Sequence, residues 1–108
     1  MDQYILVLTT MPDKNQAEQL AEKLVTAKLA ACINIMPQMT SIYEWNGQLE
    51  KGTEHLILIK TRNVVYEKLE NTLKAEHPYS VPEIISLPIE AGLQDYLNWI
   101  DENTTSSR

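Results

Sequence analysis

The stretch His77-Pro78-Tyr79-Ser80-Val81-Pro82-Glu83-Ile84-Ile85-Ser86-Leu87-Pro88-Ile89 limits what this chain can fold into more than any other. Each proline fixes its own φ and pushes the residue before it, His77 and Val81, out of the helical region. A helix upstream must therefore stop here, and the apolar run that follows is aimed into a strand. The turn between them carries a histidine, a tyrosine and a carboxylate on stiff backbone.

The rest of the chain supplies partners for that strand. Tyr4-Ile5-Leu6-Val7-Leu8-Thr9 is continuously apolar and ends at Thr10-Met11-Pro12-Asp13, which predicts a central strand. Asp13 and Gln16 have the capping-box spacing, and Ala17, Leu20, Ala21, Leu24 and Lys28 follow at helical intervals, predicting a helix from about Asn15 to Lys28. Ala31 to Met36 returns to an extended pattern broken at Pro37, which a strand tolerates only at an edge or a bulge. That strand continues through Thr40–Trp45 to Asn46-Gly47, the dipeptide suited to the positive φ angles of a tight hairpin. The returning strand runs from Gln48 to about Thr61, with a polar outer half and a Leu56-Ile57-Leu58-Ile59 segment whose composition predicts burial on both faces. The hairpin is long, and its tip is expected to project beyond the core. Asn63 can cap a second helix with Val65, Leu69, Thr72 and Leu73 on one stripe. Glu83 to Leu87 is the fourth strand, and Leu93, Tyr96, Leu97 and Ile100 predict a short closing helix. One domain over residues 1–102 is expected, followed by a flexible polar tail over 103–108.

The order strand, helix, strand, strand, helix, strand is the split βαβ, or ferredoxin-like, α+β arrangement, whose usual spatial order 4-1-3-2 makes all neighbours antiparallel. Following the chain direction places the His77–Glu83 loop, the end of the first strand and the hairpin side of the sheet at one end. Lys60 and Cys32 fall near the other.

Composition narrows the function. Fifteen acidic against nine basic residues give a formal charge of −6 with no basic cluster, which argues against nucleic acid and for a cationic partner. The core strands lack the aromatic platforms of an RNA-recognition module. An acylphosphatase-like hydrolase needs a phosphate-cradling loop with an arginine after the first strand, and Thr9 to Asp13 has neither glycine nor a basic residue. The apolar runs are too short to span a bilayer. Cys32 alone cannot form an internal disulfide, and the N-terminal residues lack the pattern of a signal peptide, so cytoplasmic residence is expected. A domain this small often gains burial by self-association, so a homo-oligomer is expected.

Ala30-Ala31-Cys32-Ile33-Asn34, Ser41-Ile42-Tyr43-Glu44-Trp45-Asn46-Gly47, Ile59-Lys60-Thr61, His77-Pro78-Tyr79-Ser80-Val81-Pro82-Glu83 and Tyr96-Leu97-Asn98-Trp99-Ile100 together resemble the CutA family of divalent-ion tolerance proteins, nearly end to end. The resemblance implies a homotrimer of ferredoxin-like subunits whose long hairpins pair across subunits, with clefts between them. It implies no catalysis, and a role in tolerance of and response to divalent cations, copper among them, with metal ions or a small effector bound at the clefts. Tyr43, Trp45, Lys60, Tyr79 and Glu83 match positions that family members retain around the cleft.

His77 and Glu83 are a donor pair suited to zinc or copper(II), bound weakly and not required for folding. Up to about 20 Å of extended chain separates them, so joint ligation needs the proline loop to fold back or a neighbouring subunit to contribute. Equally, His77 can cap the last carbonyls of the second helix while Glu83 accepts backbone or tyrosine hydrogen bonds. Where some family members carry a cysteine proposed as a copper ligand, this chain has Thr9, a poor ligand for copper(I). Cys32 reads as a small core residue at the opposite end. Lys60, ending an apolar strand, either reaches solvent, pairs with an acid or holds a small anion. A trimer that only presents a surface to protein partners is the competing reading.

Overall fold

A computed structural model describes residues 4–105. The elements are β1 (Tyr4–Met11), α1 (Lys14–Thr26), β2 (Cys32–Trp45), β3 (Gln48–Arg62), a 3-10 turn (Asn63–Val65), α2 (Tyr66–Glu76), β4 (Ile84–Pro88) and α3 (Gln94–Glu102). The four strands form one antiparallel sheet in the order β2-β3-β1-β4, the expected ferredoxin-like topology.

Local chemistry explains most boundaries. The Asp13 carboxylate accepts from the Gln16 backbone N–H at 2.9 Å and caps α1. The helix stops at Thr26, two residues earlier than its periodicity suggests. Lys28 takes φ 65°, its N–H bonds to the Val25 carbonyl, and the Leu29 N–H reaches back to the Leu24 carbonyl. This Schellman closure places a non-glycine residue in the left-handed region, at a cost of about 1 kcal/mol, and turns Leu29 and Ala30 into the core. Pro37 sits where the β2–β3 register shifts, between Ile35 and Gln38, and β2 is an edge strand, as the proline requires. Asn46 and Gly47, at φ 52° and 78°, make the hairpin turn. Asn63 does not cap α2: it opens the 3-10 turn, no side chain bonds there, and Arg62 keeps the chain extended up to it.

β1 runs two residues past Thr9, because Thr10 and Met11 still find partners in Leu56 and His55. Beyond His55 the hairpin has only its own two strands and projects from the body, and the molecule measures 44 Å along its longest axis.

α1 and α2 both cover the same face of the sheet. Ile5, Val7, Met11, Ile57 and Ile59 meet Ala17, Leu20 and Leu24 from α1, and Leu69 and Leu73 from α2. The Leu56–Ile59 segment is accordingly not buried on both sides within one chain: Ile57 and Ile59 face the helices, whereas Leu56 and Leu58 are half-buried on the opposite face. On that face register places Leu58 beside Leu8 and Leu8 beside Ile85, with Leu6 beside Leu87. α3 buries only Ile100 of its expected stripe, leaving Tyr96 and Trp99 exposed.

The tail expected from Asn103 onward is described as far as Thr105. Within that part Thr104 is 7 % exposed, its hydroxyl donates to the Ile100 carbonyl, and the Thr105 N–H donates to the Lys28 carbonyl. Residues 106–108 lie outside the described part of the chain.

Candidate functional site: an acidic, aromatic cleft at the hairpin end

The proline-bounded turn folds back against the end of β1. His77 follows the last helical residue, Glu76, and is extended, with φ −79° and ψ 139° as the following proline demands. Its ring does not cap α2. Nδ1 accepts the Tyr79 backbone N–H at 3.1 Å, so Nε2 carries the proton and donates to the Thr10 carbonyl at 2.7 Å. Both nitrogens are thereby committed to holding the loop on the sheet. The imidazole also stacks obliquely on the Tyr79 ring, with centroids 4.9 Å apart.

The loop, the hairpin and Thr10 enclose a cleft of about 510 Å³. Tyr43, Trp45, Tyr79 and Glu83, four of the five cleft positions expected from the resemblance, line it together with Glu50 and Glu54. Hairpin register explains why. Tyr43 lies opposite Glu50, and Trp45 opposite Gln48, so alternation along β3 sends Glu50, Gly52 and Glu54 to the side that carries the two rings. Neither glutamate was singled out by the sequence reading. Counting back from Asn46-Gly47 would have found both, since the turn fixes the register.

Tyr79 donates its hydroxyl to Glu54 Oε1 at 3.1 Å; the carboxylate that accepts from the tyrosine is Glu54 and not Glu83. Burial first, then the hydrogen bond to Glu54 and the charge of that carboxylate, push the Tyr79 phenol up from 10.0 to about 12. The folded chain therefore keeps this proton after the unfolded chain has lost it, and the contribution to stability fades as pH rises from about 10 to about 12. In an ultraviolet titration the last tyrosinate step of the wild type should lie near 12, vanish in Tyr79→Phe and move toward the ordinary value in Glu54→Gln; an unmoved step in Glu54→Gln would refute the pairing.

Lys60 is elsewhere. It lies opposite Cys32 and Leu6, six positions along β3 from Glu54 and so roughly 20 Å away. Its ammonium donates to Asn34 Oδ1 at 2.8 Å and lies 6.0 Å from the centre of the Tyr96 ring. The Cys32 thiol also faces Asn34 Oδ1, at 3.9 Å. Thr9, at the family's cysteine position, points to the helix side, is 1 % exposed, and its hydroxyl has no partner among the described residues. A ligand at that position faces the core and not the cleft.

As a metal centre the cleft is poorly built. No group of three or more His, Cys, Asp or Glu side chains among the described residues is arranged to hold an ion. His77 is occupied through both nitrogens and does not line the cavity that Glu83 lines. The donors present fit loose electrostatic association of a cation and not a cage of zinc or copper geometry.

No helix among the described residues is long and apolar enough to cross a membrane. The sequence profile described as CutA1 divalent ion tolerance protein matches residues 5–103. The divalent-cation tolerance protein CutA of Thermus thermophilus is 48% identical over 99 residues, which cover 92% of this chain and 96% of that one. The chloroplastic protein CutA of Arabidopsis thaliana is 43% identical over 100 residues, covering 93% of this chain but 55% of its own length, so the chain spans about half of that relative. The crystal structure of CutA1 from Oryza sativa superimposes with a TM-score of 0.94 at 41% identity, covering 97% of this chain and 96% of the other. With the fold, the hairpin and the His77–Glu83 signature all in the expected places, the chain belongs to the CutA1 family of divalent ion tolerance proteins.

Proposed function

We propose that the protein is a non-catalytic homotrimer of the cytoplasm that acts in tolerance of divalent cations, copper and zinc among them, and binds cations or a small effector at clefts between its subunits. The observation that carries this reading is the cleft, whose walls within one chain hold three glutamates, more acidic charge than the one lysine a neighbouring copy would bring. Cations are drawn to it by the field of those carboxylates and, with no cage to strip their water, are held weakly. Folding does not depend on them.

The uncovered sheet face supports the trimer. Leu6, Leu8, Leu56 and Leu58 are half-buried there, and Ile85 and Leu87 are 49% and 42% exposed, a contiguous apolar surface that a second copy can cover. The cleft lies at one end of this face and Lys60 with α3 at the other. Copies packed head to tail bring one subunit's Lys60 end toward the next subunit's cleft, and such contacts close into a ring when the rotation between copies closes. All five cleft positions then belong to one site.

Light scattering after gel filtration tests the assembly. The wild type is expected at three chain masses and Ile85→Asp at one, with the circular dichroism of the fold retained because Ile85 is half-exposed in the single chain. Calorimetry with zinc and copper(II) is expected to give weak binding, reduced in Glu54→Gln. A trimeric Ile85→Asp, or cation binding indifferent to Glu54, sinks the reading.

A further inference from the structure

Glu50, Glu54, Leu56, Leu58 and Lys60 alternate onto one side of β3, the side that the helices leave uncovered. This face has an acidic end at the cleft, an apolar middle and a cationic end. Lys60 is half-buried at the cationic end, between Leu6 on β1 and Cys32 on β2. Its ammonium meets only neutral groups, donating to Asn34 Oδ1 at 2.8 Å and lying 6.0 Å from the centre of the Tyr96 ring. No carboxylate among the described residues pairs with it. An ammonium has three N–H donors, so donors remain for a further partner.

The acidic end carries the matching surplus. Glu54 accepts from the Tyr79 hydroxyl, but the carboxylates of Glu50 and Glu83, which line the same cleft, have no partner among the described residues. One chain cannot bring these charges together: Glu50 stands ten positions from Lys60, roughly 33 Å along an extended strand. A second copy can. Covering the apolar middle also takes Lys60 out of water, because Leu6 lies opposite it and Leu58 beside it. Burying an ammonium without a counter-charge is strongly unfavourable, so the copy that covers this face must bring an acid. Packing two copies in the same direction sets Lys60 against Lys60 and cleft against cleft, which like-charge repulsion rejects.

We infer that Lys60 of one copy completes the cleft of the next, with its ammonium paired to Glu50 and Glu83. The stacked Tyr96 and Trp99 rings, 5.5 Å apart and 40% and 39% exposed, extend the contact beside Lys60. This rests on reading the uncovered face as the assembly face, and it names the contact that sets the direction of packing. One ammonium against three glutamates leaves the completed cleft acidic, so it still attracts a cation.

Charge reversal in the full-length protein tests the contact, with the protomer concentration at half-dissociation read by light scattering at a fixed urea concentration. Lys60→Glu is expected to raise that concentration by at least about tenfold, and Glu50→Lys and Glu83→Lys each to raise it too. Adding Glu50→Lys or Glu83→Lys to Lys60→Glu should recover most of the loss, a rescue that mere damage to the strand would not show. Lys60→Met, uncharged and of similar length, should weaken assembly and flatten its dependence on salt. Circular dichroism is expected to show the fold retained, since none of these side chains belongs to the core. If the wild type assembles and Lys60→Glu dissociates at the same concentration, or if neither acid reversal rescues it, the contact is wrong while the assembly face stands. If the wild type is a single chain in solution, both are wrong.

Discussion

Arg62→Met is expected to destabilise the fold by on the order of 3 kcal/mol, seen as a lowered urea midpoint with little change in slope at fixed protomer concentration. Arg62 ends β3 and is 8% exposed. Its Nε donates to the Thr104 hydroxyl at 2.7 Å, and Nη2 donates to the carbonyls of Thr104 and Thr105 at 3.2 and 3.0 Å. Asp101 Oδ1 lies 3.7 Å from Nε, while the other oxygen of that carboxylate accepts from the Tyr4 hydroxyl at 2.7 Å. Methionine fills the same space but donates nothing, and buried oxygens left without a donor cost about 1–3 kcal/mol each. The ion pair itself contributes less, since the Asp101 side chain is 38% exposed and screened. Arg62→Lys should recover only part of the loss, because one ammonium cannot reproduce the planar fork. A midpoint for Arg62→Met within a few tenths of a molar of the wild type would show that the clasp is not a stabilising element.

Leu69→Ala should cost a similar amount, about 2–5 kcal/mol, by a different route. Leu69 is fully buried on α2, in the layer where the helix meets Ile57, Ile59 and the other members of the core. Truncation forfeits the transfer energy of the missing atoms and leaves a cavity that its neighbours cannot fill, since Leu73 one turn on is pinned in the same layer. Chemical denaturation gives the measurement, and a loss below about 1 kcal/mol would mean that the core collapses around the gap. The loss should add to that of Arg62→Met within about 0.5 kcal/mol, because the two side chains share no partner in the hydrogen-bond and core networks.

These two residues differ in how readable they were. Leu69 sits on an i, i+4 stripe, and the stripe alone places it in the core. Arg62 carries no such mark, because its partners lie 42 and 43 positions away along the chain and no local pattern links them. Thr104 reads as tail for the same reason. The cleft divides likewise. Tyr43, Trp45, Tyr79 and Glu83 belong to segments that carry the family resemblance, whereas Glu50 and Glu54 depend on the hairpin register and on how the proline loop folds over it. His77 stands out in the sequence for its chemistry, and in the fold both ring nitrogens make hydrogen bonds to backbone.

The order of strands and helices and most of their boundaries follow from the sequence alone. Apolar periodicity, the Asp13 cap, Pro37, Asn46-Gly47 and the paired prolines act over a few residues, so they can be read locally. Tertiary structure alone decided which face of the sheet stays uncovered, which carboxylate meets Tyr79, where Lys60 lies and what Arg62 holds. Each is a contact between segments distant in sequence, fixed by packing two helices on one face of a sheet, and no local propensity encodes it.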